Sequence, residues 1–342
     1  MAVAQTSIAP RRQDAFTNLI VALLIGIVVV SFVAISMGPA PLSPGDVLRG
    51  LLGGGDTAAA AIVREIRLPR VLLGLMVGAS LGLSGAALQG LLRNPLADPG
   101  VIGVSASAGL GAVIAIYFGF ASAFSLALPL FAMAGALLAT GMLFLLASRD
   151  ASGLTLILVG IGIASLAVAL TSLVMNLAPT PYSLTDMVLW LLGSLSNRSF
   201  SDIALAAPFM IAGWALLLTV GRGVRALSLG EETAQTLGID LRWLRLRVIA
   251  GTALVVGASV ATCGSIGFIG LVVPHMVRPF AGYDPGRILL PSALGGGLLL
   301  VLADIVTRSA PLGQELKLGV VTSLIGSPFF IYLVIRARRA MR

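Results

Sequence analysis

The sequence predicts an all-α polytopic membrane protein of about ten transmembrane helices, with an inverted repeat and both termini cytoplasmic. Three observations carry this. Of 342 residues, 58% are hydrophobic and only 11% charged, against roughly 45–50% apolar and about 25% charged in an ordinary soluble domain. The apolar residues gather into runs separated by charged or Pro/Gly-rich breaks, and a helix needs about 20 such residues to cross the bilayer core. Basic residues are also spread unevenly between alternate loops, the asymmetry that holds loops on the cytoplasmic side.

The first apolar run, Leu19 to Met37, follows Arg11 and Arg12. It is longer than the ~7–15-residue apolar core of a secretory signal, and no small-residue cleavage site follows it. It is read as a retained first span behind a cytoplasmic tail at 1–18. The other spans are expected at 70–92, 101–120, 126–147, 154–177, 203–220, 246–263, 267–280, 288–306 and 317–335, the eighth being short. One transmembrane domain then covers 19–336, and 337–342 is a cytoplasmic C-terminal tail. With the N-terminus inside, ten crossings put 15 of the 22 basic residues inside and seven outside: Arg49, Arg64, Arg67, Arg70, Arg198, Arg308 and Lys317. The net charge of +8 therefore reads as positive-inside loops and not as a nucleic-acid surface. Arg64, Arg67 and Arg70 cluster on the side the rule depletes. They either snorkel to headgroups or dock an acidic partner.

Residues 77–80 read VGAS, followed by Gly85 and Pro95; residues 256–259 read VGAS again, with Gly264 and Pro274 at the same offsets. This relates the second span to the seventh. Five spans separate them, so the two copies run in opposite directions, the inverted-repeat arrangement of many transporters. Many of the 41 glycines lie within spans, such as Gly74, Gly78, Gly82 and Gly85. Small residues at that spacing allow close backbone approach in lipid.

Several chemistries are excluded. One cysteine, Cys263, and one histidine, His275, rule out disulfide frameworks and clustered Cys or His metal sites, and no metal site is expected. His275 is read as structural. The only lysine, Lys317, follows Leu316, so the chain has no Gly-Lys-Ser/Thr phosphate loop. No GxSxG elbow or paired intramembrane carboxylates suggest an enzyme. Asp304, near a span end, is the main candidate for the buried carboxylate a proton-coupled transporter would use.

The longest inner loop contains ALSLGEETAQTLGID, Ala226 to Asp240. Ser228 is expected to cap one short helix, with Glu231 and Glu232 in its first turn, where the dipole favours anions. Leu227, Leu229, Ala234 and Leu237 supply apolar faces, and Gly238 is expected to end the helix. The segment reads either as an ordinary loop helix or as a docking surface for a cytoplasmic subunit. NPLADP at the inner end of the second span holds Pro95 and Pro99, which stop helices. It is a rigid turn or a gate.

Four blocks in order, 67–109 (RLPRVLLGLMVGASLGLSGAALQGLLRNPLADPGVIGVSASAG), 228–239 (SLGEETAQTLGI), 264–296 (GSIGFIGLVVPHMVRPFAGYDPGRILLPSALGG) and 303–334 (with ADIVTR and ELKLGVVTSLIGSPFFIYLV), resemble the permease subunits of ABC importers for iron-siderophores, haem and cobalamin, the FecCD family. The resemblance spans nearly the whole chain from about residue 20. It departs at Lys317, where the family often has Pro, and at Asp284-Pro285-Gly286-Arg287, where it often reads Asp-His-Arg.

The resemblance implies a homodimer, or a heterodimer with a similar permease, in a bacterial inner membrane. Two cytoplasmic ABC ATPase subunits would hold ATP and Mg, no cofactor would reside in this chain, and one periplasmic or lipoprotein binding protein would deliver substrate. It further implies that Arg67, Arg70 and Arg308 receive acidic residues of the binding protein. Leu227, Leu229, Glu231, Glu232, Ala234, Leu237 and Gly238 would press on the ATPase, and Asn94, Leu96, Ser152 and Gly153 would close the path on the cytoplasmic side. An iron-siderophore is the expected cargo. The rival reading is a stand-alone proton-coupled secondary transporter.

Overall fold

The computed structural model describes residues 8–53, 57–124, 126–147, 153–309 and 315–340, and among these there are helices and no strands. In chain order they are α1 (Ile8–Ser36), α2 (Pro44–Leu51), α3 (Ala58–Ala61), α4 (Leu68–Leu91), α5 (Val104–Tyr117), α6 (Phe120–Ala123), α7 (Ala127–Ala147), α8 (Gly153–Asn176), α9 (Pro181–Leu191), α10 (Phe200–Leu218), α11 (Gly221–Leu227), α12 (Glu231–Thr236), α13 (Leu241–Cys263), α14 (Ile269–Val277), α15 (Leu289–Ser309) and α16 (Leu318–Ala340). A π-helical turn, Ile62–Arg67, joins α3 to α4, and a 3₁₀ turn, Pro99–Ile102, precedes α5.

Each of the ten expected runs coincides with a helix, and among the described residues seven helices are long and apolar enough to cross a membrane: α1, α3 with α4, α7, α8, α10, α13 and α15. Local backbone shortens two of the others, α5 and α14. α5 starts at Gly103 (φ +80) and stops before Gly119 (φ +72), leaving 14 residues, about 21 Å at 1.5 Å per residue. α14 has nine residues, starts at Phe268 (φ +68) and contains Pro274. His275 sets its ring edge-on to Phe329.

α4 and α13, the two helices carrying VGAS, are the most deeply buried of the seven and pack against each other. Their directions follow from their neighbours. Near the start of α4, Arg70 bonds Glu315, which accepts from Ser196, while the Ser194 N–H two residues earlier donates to Cys263 O at the end of α13. Near the end of α4, Gly90 meets Val224 of α11, whose neighbour Gly223 faces Leu244 in the first turn of α13. The two helices therefore run oppositely, as an inverted repeat requires. Their partners match too: α4 packs on α15 as α13 packs on α7.

The α4–α15 seam is backbone on backbone. A Cβ on Gly78 would lie 2.2 Å from Gly296 O, one on Gly296 would lie 2.1 Å from Gly78 O, and one on Gly82 would lie 2.0 Å from Ser292 O. The repeat mate of Gly78, Gly257, faces the Ala136 Cβ on α7. Because carbonyls cannot rotate away as a side chain can, Gly78→Ala is expected to destabilise by about 1–3 kcal/mol. Thermal unfolding of the detergent-purified protein should show a lowered midpoint. Gly141→Ala, with nothing within 4 Å of the added methyl, should leave it unchanged.

Candidate functional sites at the two ends of the bundle

One end is built on a carboxylate and two arginines. Arg70 Nη2 lies 2.9 Å and Arg308 Nη2 2.8 Å from the carboxylate of Asp304 on α15. Arg70 Nε also donates to both Asp304 oxygens at 3.1 Å, and its Nη groups reach Glu315 at 3.1 and 3.0 Å. Glu315 in turn accepts from the Ser196 hydroxyl. Burial pushes the Glu315 carboxyl up, but hydrogen bonds from Arg70 and Ser196 and the Arg70 and Arg308 charges outweigh it and hold it below the usual glutamate value.

Among the described residues, Arg67 makes no ion pair. It is only 4% exposed; its Nη1 donates to Ile35 O and Ser36 O, both at 2.8 Å, and its Nη2 to Ala40 O. Arg308 Nη1 likewise donates to Ala34 O and Met37 O, at 3.0 and 3.2 Å. Both arginines thus satisfy carbonyls that the end of α1 leaves without helical partners. Arg67, Arg70 and Arg308 are the three arginines expected as docking charges. All three side chains are largely buried and bonded within the chain, and Arg67 ends the π turn. No residue pattern announced that turn. The sequence reading also missed Glu315 and Ser196, for which the Glu-Leu pair before α16 was the only available signal.

Asp304, the carboxylate expected of a proton-coupled transporter, is held by two guanidinium groups. Between this end and α9 lies a cavity of about 560 Å³, with apolar Leu189 and Trp190 and polar Asp186, Arg198 and Lys317 in its wall.

The opposite end carries the 226–240 segment. The expected helix is α12, with Glu231 and Glu232 in its first turn, and another helix, α11, ends just before it, the two parted at Gly230 (φ +111). Ser228 is not an N-cap. Its hydroxyl donates to Arg225 O at the end of α11, 2.7 Å away. Gly238 (φ +80) does end α12, with Ile239 N–H bonded to Ala234 O and Gly238 N–H to Gln235 O, the paired bonds of a Schellman motif.

The apolar residues divide by role. Leu227 (2% exposed) and Ala234 (0%) point into the protein, whereas Leu229 (65%) and Leu237 (61%) point out. The elbow is pinned by Arg245 to Glu231 at 3.1 Å and by Arg225 to Asp284 at 2.8 Å. Glu232 is also exposed. Two apolar side chains are thus presented on an anchored hairpin that buries neither of them.

Beside the elbow, Asn94 Oδ1 accepts from Leu96 N–H at 3.0 Å and shapes the turn after α4. Asp98 Oδ1 accepts from Gly100 N–H at 2.8 Å at the start of the 3₁₀ turn, which packs on α8. Burial pushes the Asp98 carboxyl up, against the pull of that N–H. Gly153 opens α8, and Ser152 lies outside the described residues.

The FecCD transport family matches residues 23–336. The chain belongs to that family. A cobalamin import system permease, BtuC of Halobacterium salinarum, is 42% identical over 285 residues, 82% of this chain and 75% of that one. An Fe(3+)-citrate import system permease, YfmD of Bacillus subtilis, is 36% identical over 304 residues, 89% and 90% of the two chains. A solved structure described as a metal-chelate type ABC transporter in an inward-facing conformation superposes with a TM-score of 0.83 at 31% identity, covering 94% of this chain and 99% of that one. This FecCD member is accordingly a multi-pass transport permease and not an enzyme.

Proposed function

We propose that this FecCD permease is the membrane subunit of an ATP-driven importer for an iron-siderophore, with other iron chelates, haem and cobalamin as the neighbouring substrate classes. It crosses a bacterial inner membrane ten times, both termini and the α11–α12 elbow on the cytoplasmic side and the Arg70–Asp304–Arg308 cluster outside. It pairs with a second copy or a similar permease, docks two ATPase subunits that hold ATP and Mg, and receives substrate from one binding protein. The observation that carries this reading is the elbow: Leu229 and Leu237 face outward on an anchored hairpin in a chain whose sequence has no Gly-Lys-Ser/Thr phosphate loop. Names of relatives support the cargo class, since one imports cobalamin and another Fe(3+)-citrate.

Within this reading, Arg70 is the docking arginine best able to take a partner's carboxylate, because its Glu315 ligand lies at the exposed rim while Arg67 and Arg308 are committed to backbone carbonyls. Asn94, Leu96, Ser152 and Gly153 close the path beside the elbow. The secondary-transporter reading loses its candidate carboxylate to the double ion pair on Asp304.

The test is uptake of a ferric siderophore into proteoliposomes holding the permease with an ATPase and a binding protein of its importer. Uptake is expected only with ATP on the ATPase side. Uptake driven by a pH gradient with no ATPase present would overturn the reading.

A further inference from the structure

At the elbow end, a cavity of about 280 Å³ opens between the end of α4, the loop after α14 and the start of α15. Its wall includes Gln89, Arg93, Ser228, Arg278, Tyr283 and Ile288, and none of its described lining residues is acidic. Arg278 Nη2 donates to Gln89 Oε1 at 2.6 Å, and Gln89 Nε2 is turned away to Gly270 O at 3.2 Å, which fixes the amide. Among the described residues, neither Arg93 nor Arg278 forms an ion pair.

The adjacent acid, Asp284, is already used. It binds Arg225 at 2.8 Å, lies 3.9 Å from Arg287, and accepts the N–H groups of Gly286 and Arg287. Asp284 is thus shared by Arg225 and Arg287, and no bond joins it to Arg93 or Arg278 among the described residues.

We propose that this cavity binds the phosphate headgroup of an anionic membrane phospholipid. Charge, size and position each support it. Two guanidinium groups without carboxylate partners suit a phosphate's oxygens, which arginine binds in a bidentate manner. The volume falls just below the roughly 300–1,000 Å³ of pockets that enclose whole small molecules, and it fits a headgroup whose tails stay outside. Arg93 and Arg278 stand directly past the ends of α4 and α14, the depth at which basic pockets between transmembrane helices meet headgroups.

A route for the tails adjoins the site. Arg287, next to Ile288 of the wall, lies over the Phe16 ring of α1 at 5.9 Å, and α1 continues from there with the exposed apolar Leu24, Ile25 and Val28. Assignment to the inner leaflet rests on the orientation proposed above; the lipid site itself does not. Because Ser228 is both part of the wall and the link between α11 and the exposed Leu229, occupancy would bear on the elbow.

The experiment uses the delipidated full-length permease in detergent. Native mass spectrometry and thermal melting are run with dioleoyl phosphatidylglycerol, dioleoyl phosphatidylcholine or inorganic phosphate. Phosphatidylglycerol is expected to be retained about tenfold better than phosphatidylcholine and to raise the melting point. Arg93→Gln with Arg278→Gln should bring retention down to the phosphatidylcholine level. Should the double variant fail to fold, Arg93→Gln, at an exposed position, is expected to show a several-fold loss alone.

Equal retention of both lipids, or retention unchanged by the substitutions, would overturn the proposal. Equal protection by inorganic phosphate would make it a free-anion site instead. Loss of phosphatidylglycerol on ATPase binding, with weaker ATPase capture by the variants, would assign the cavity to the partner. None of these readouts needs transport, so failure of the importer reading shows separately.

Discussion

Replacing both Leu229 and Leu237 with aspartate is expected to abolish capture of an ATPase subunit and ATP-driven uptake while leaving the permease folded. Both side chains are more than half exposed on the elbow, so the protomer gains little from them. Burying a leucine at an interface is worth about 1.5–3 kcal/mol, and each 1.4 kcal/mol is about tenfold in affinity. Two lost anchors amount to a weakening of about 100-fold or more, before the cost of desolvating the new carboxylates. The elbow's own scaffold provides the contrast. Leu227→Asp places a charge where the native side chain is 2% exposed, and should lower the melting temperature as well as capture. Co-purification with the ATPase, read beside thermal unfolding, separates the two. Undiminished capture by the double aspartate variant would remove the elbow from the coupling role.

Asp304→Leu is expected to be the most damaging single substitution at the opposite end. The carboxylate holds Arg70 at 2.9 Å and Arg308 at 2.8 Å. Removing one member of a buried ionic group costs about 3–5 kcal/mol, because the remaining charges stay buried without their partner. The effect spreads beyond α15, since Arg308 also carries the carbonyls of Ala34 and Met37. The yield of monodisperse protein after detergent extraction should collapse.

Glu315→Gln should cost far less, within the ~0–1 kcal/mol of exposed pairs, because Glu315 is partly solvated. It carries a pH signature as well. Its folded-state pKa is depressed, so its contribution is present above the ordinary glutamate value, about 4.3, and is lost as pH falls through the depressed one. Urea or thermal titration of wild type against Glu315→Gln across that acidic range should show the difference shrinking. A variant as damaging as Asp304→Leu would mean that Glu315 is buried.

Much of this architecture was legible in residue order alone. Apolar runs placed a helix at every expected span, because desolvated backbone must bond within its own segment and apolar side chains alone tolerate lipid. VGAS at 77–80 and 256–259 marked the two central helices, since only small residues allow the approach seen where Gly78 meets Gly296. Gly238 marked the end of α12 for a similarly local reason, as a left-handed position favours glycine.

What tertiary structure decided is what depends on partners distant in sequence. Whether an arginine faces out or in is set by which carbonyls and carboxylates the fold brings to it. Arg67 finds the end of α1 some 30 residues away, and Arg70 finds Asp304 and Glu315 more than 230 residues away. The division of Leu227 and Ala234 from Leu229 and Leu237 was hidden for the same reason: the break at Gly230 resets the helical phase, and periodicity cannot be carried across it.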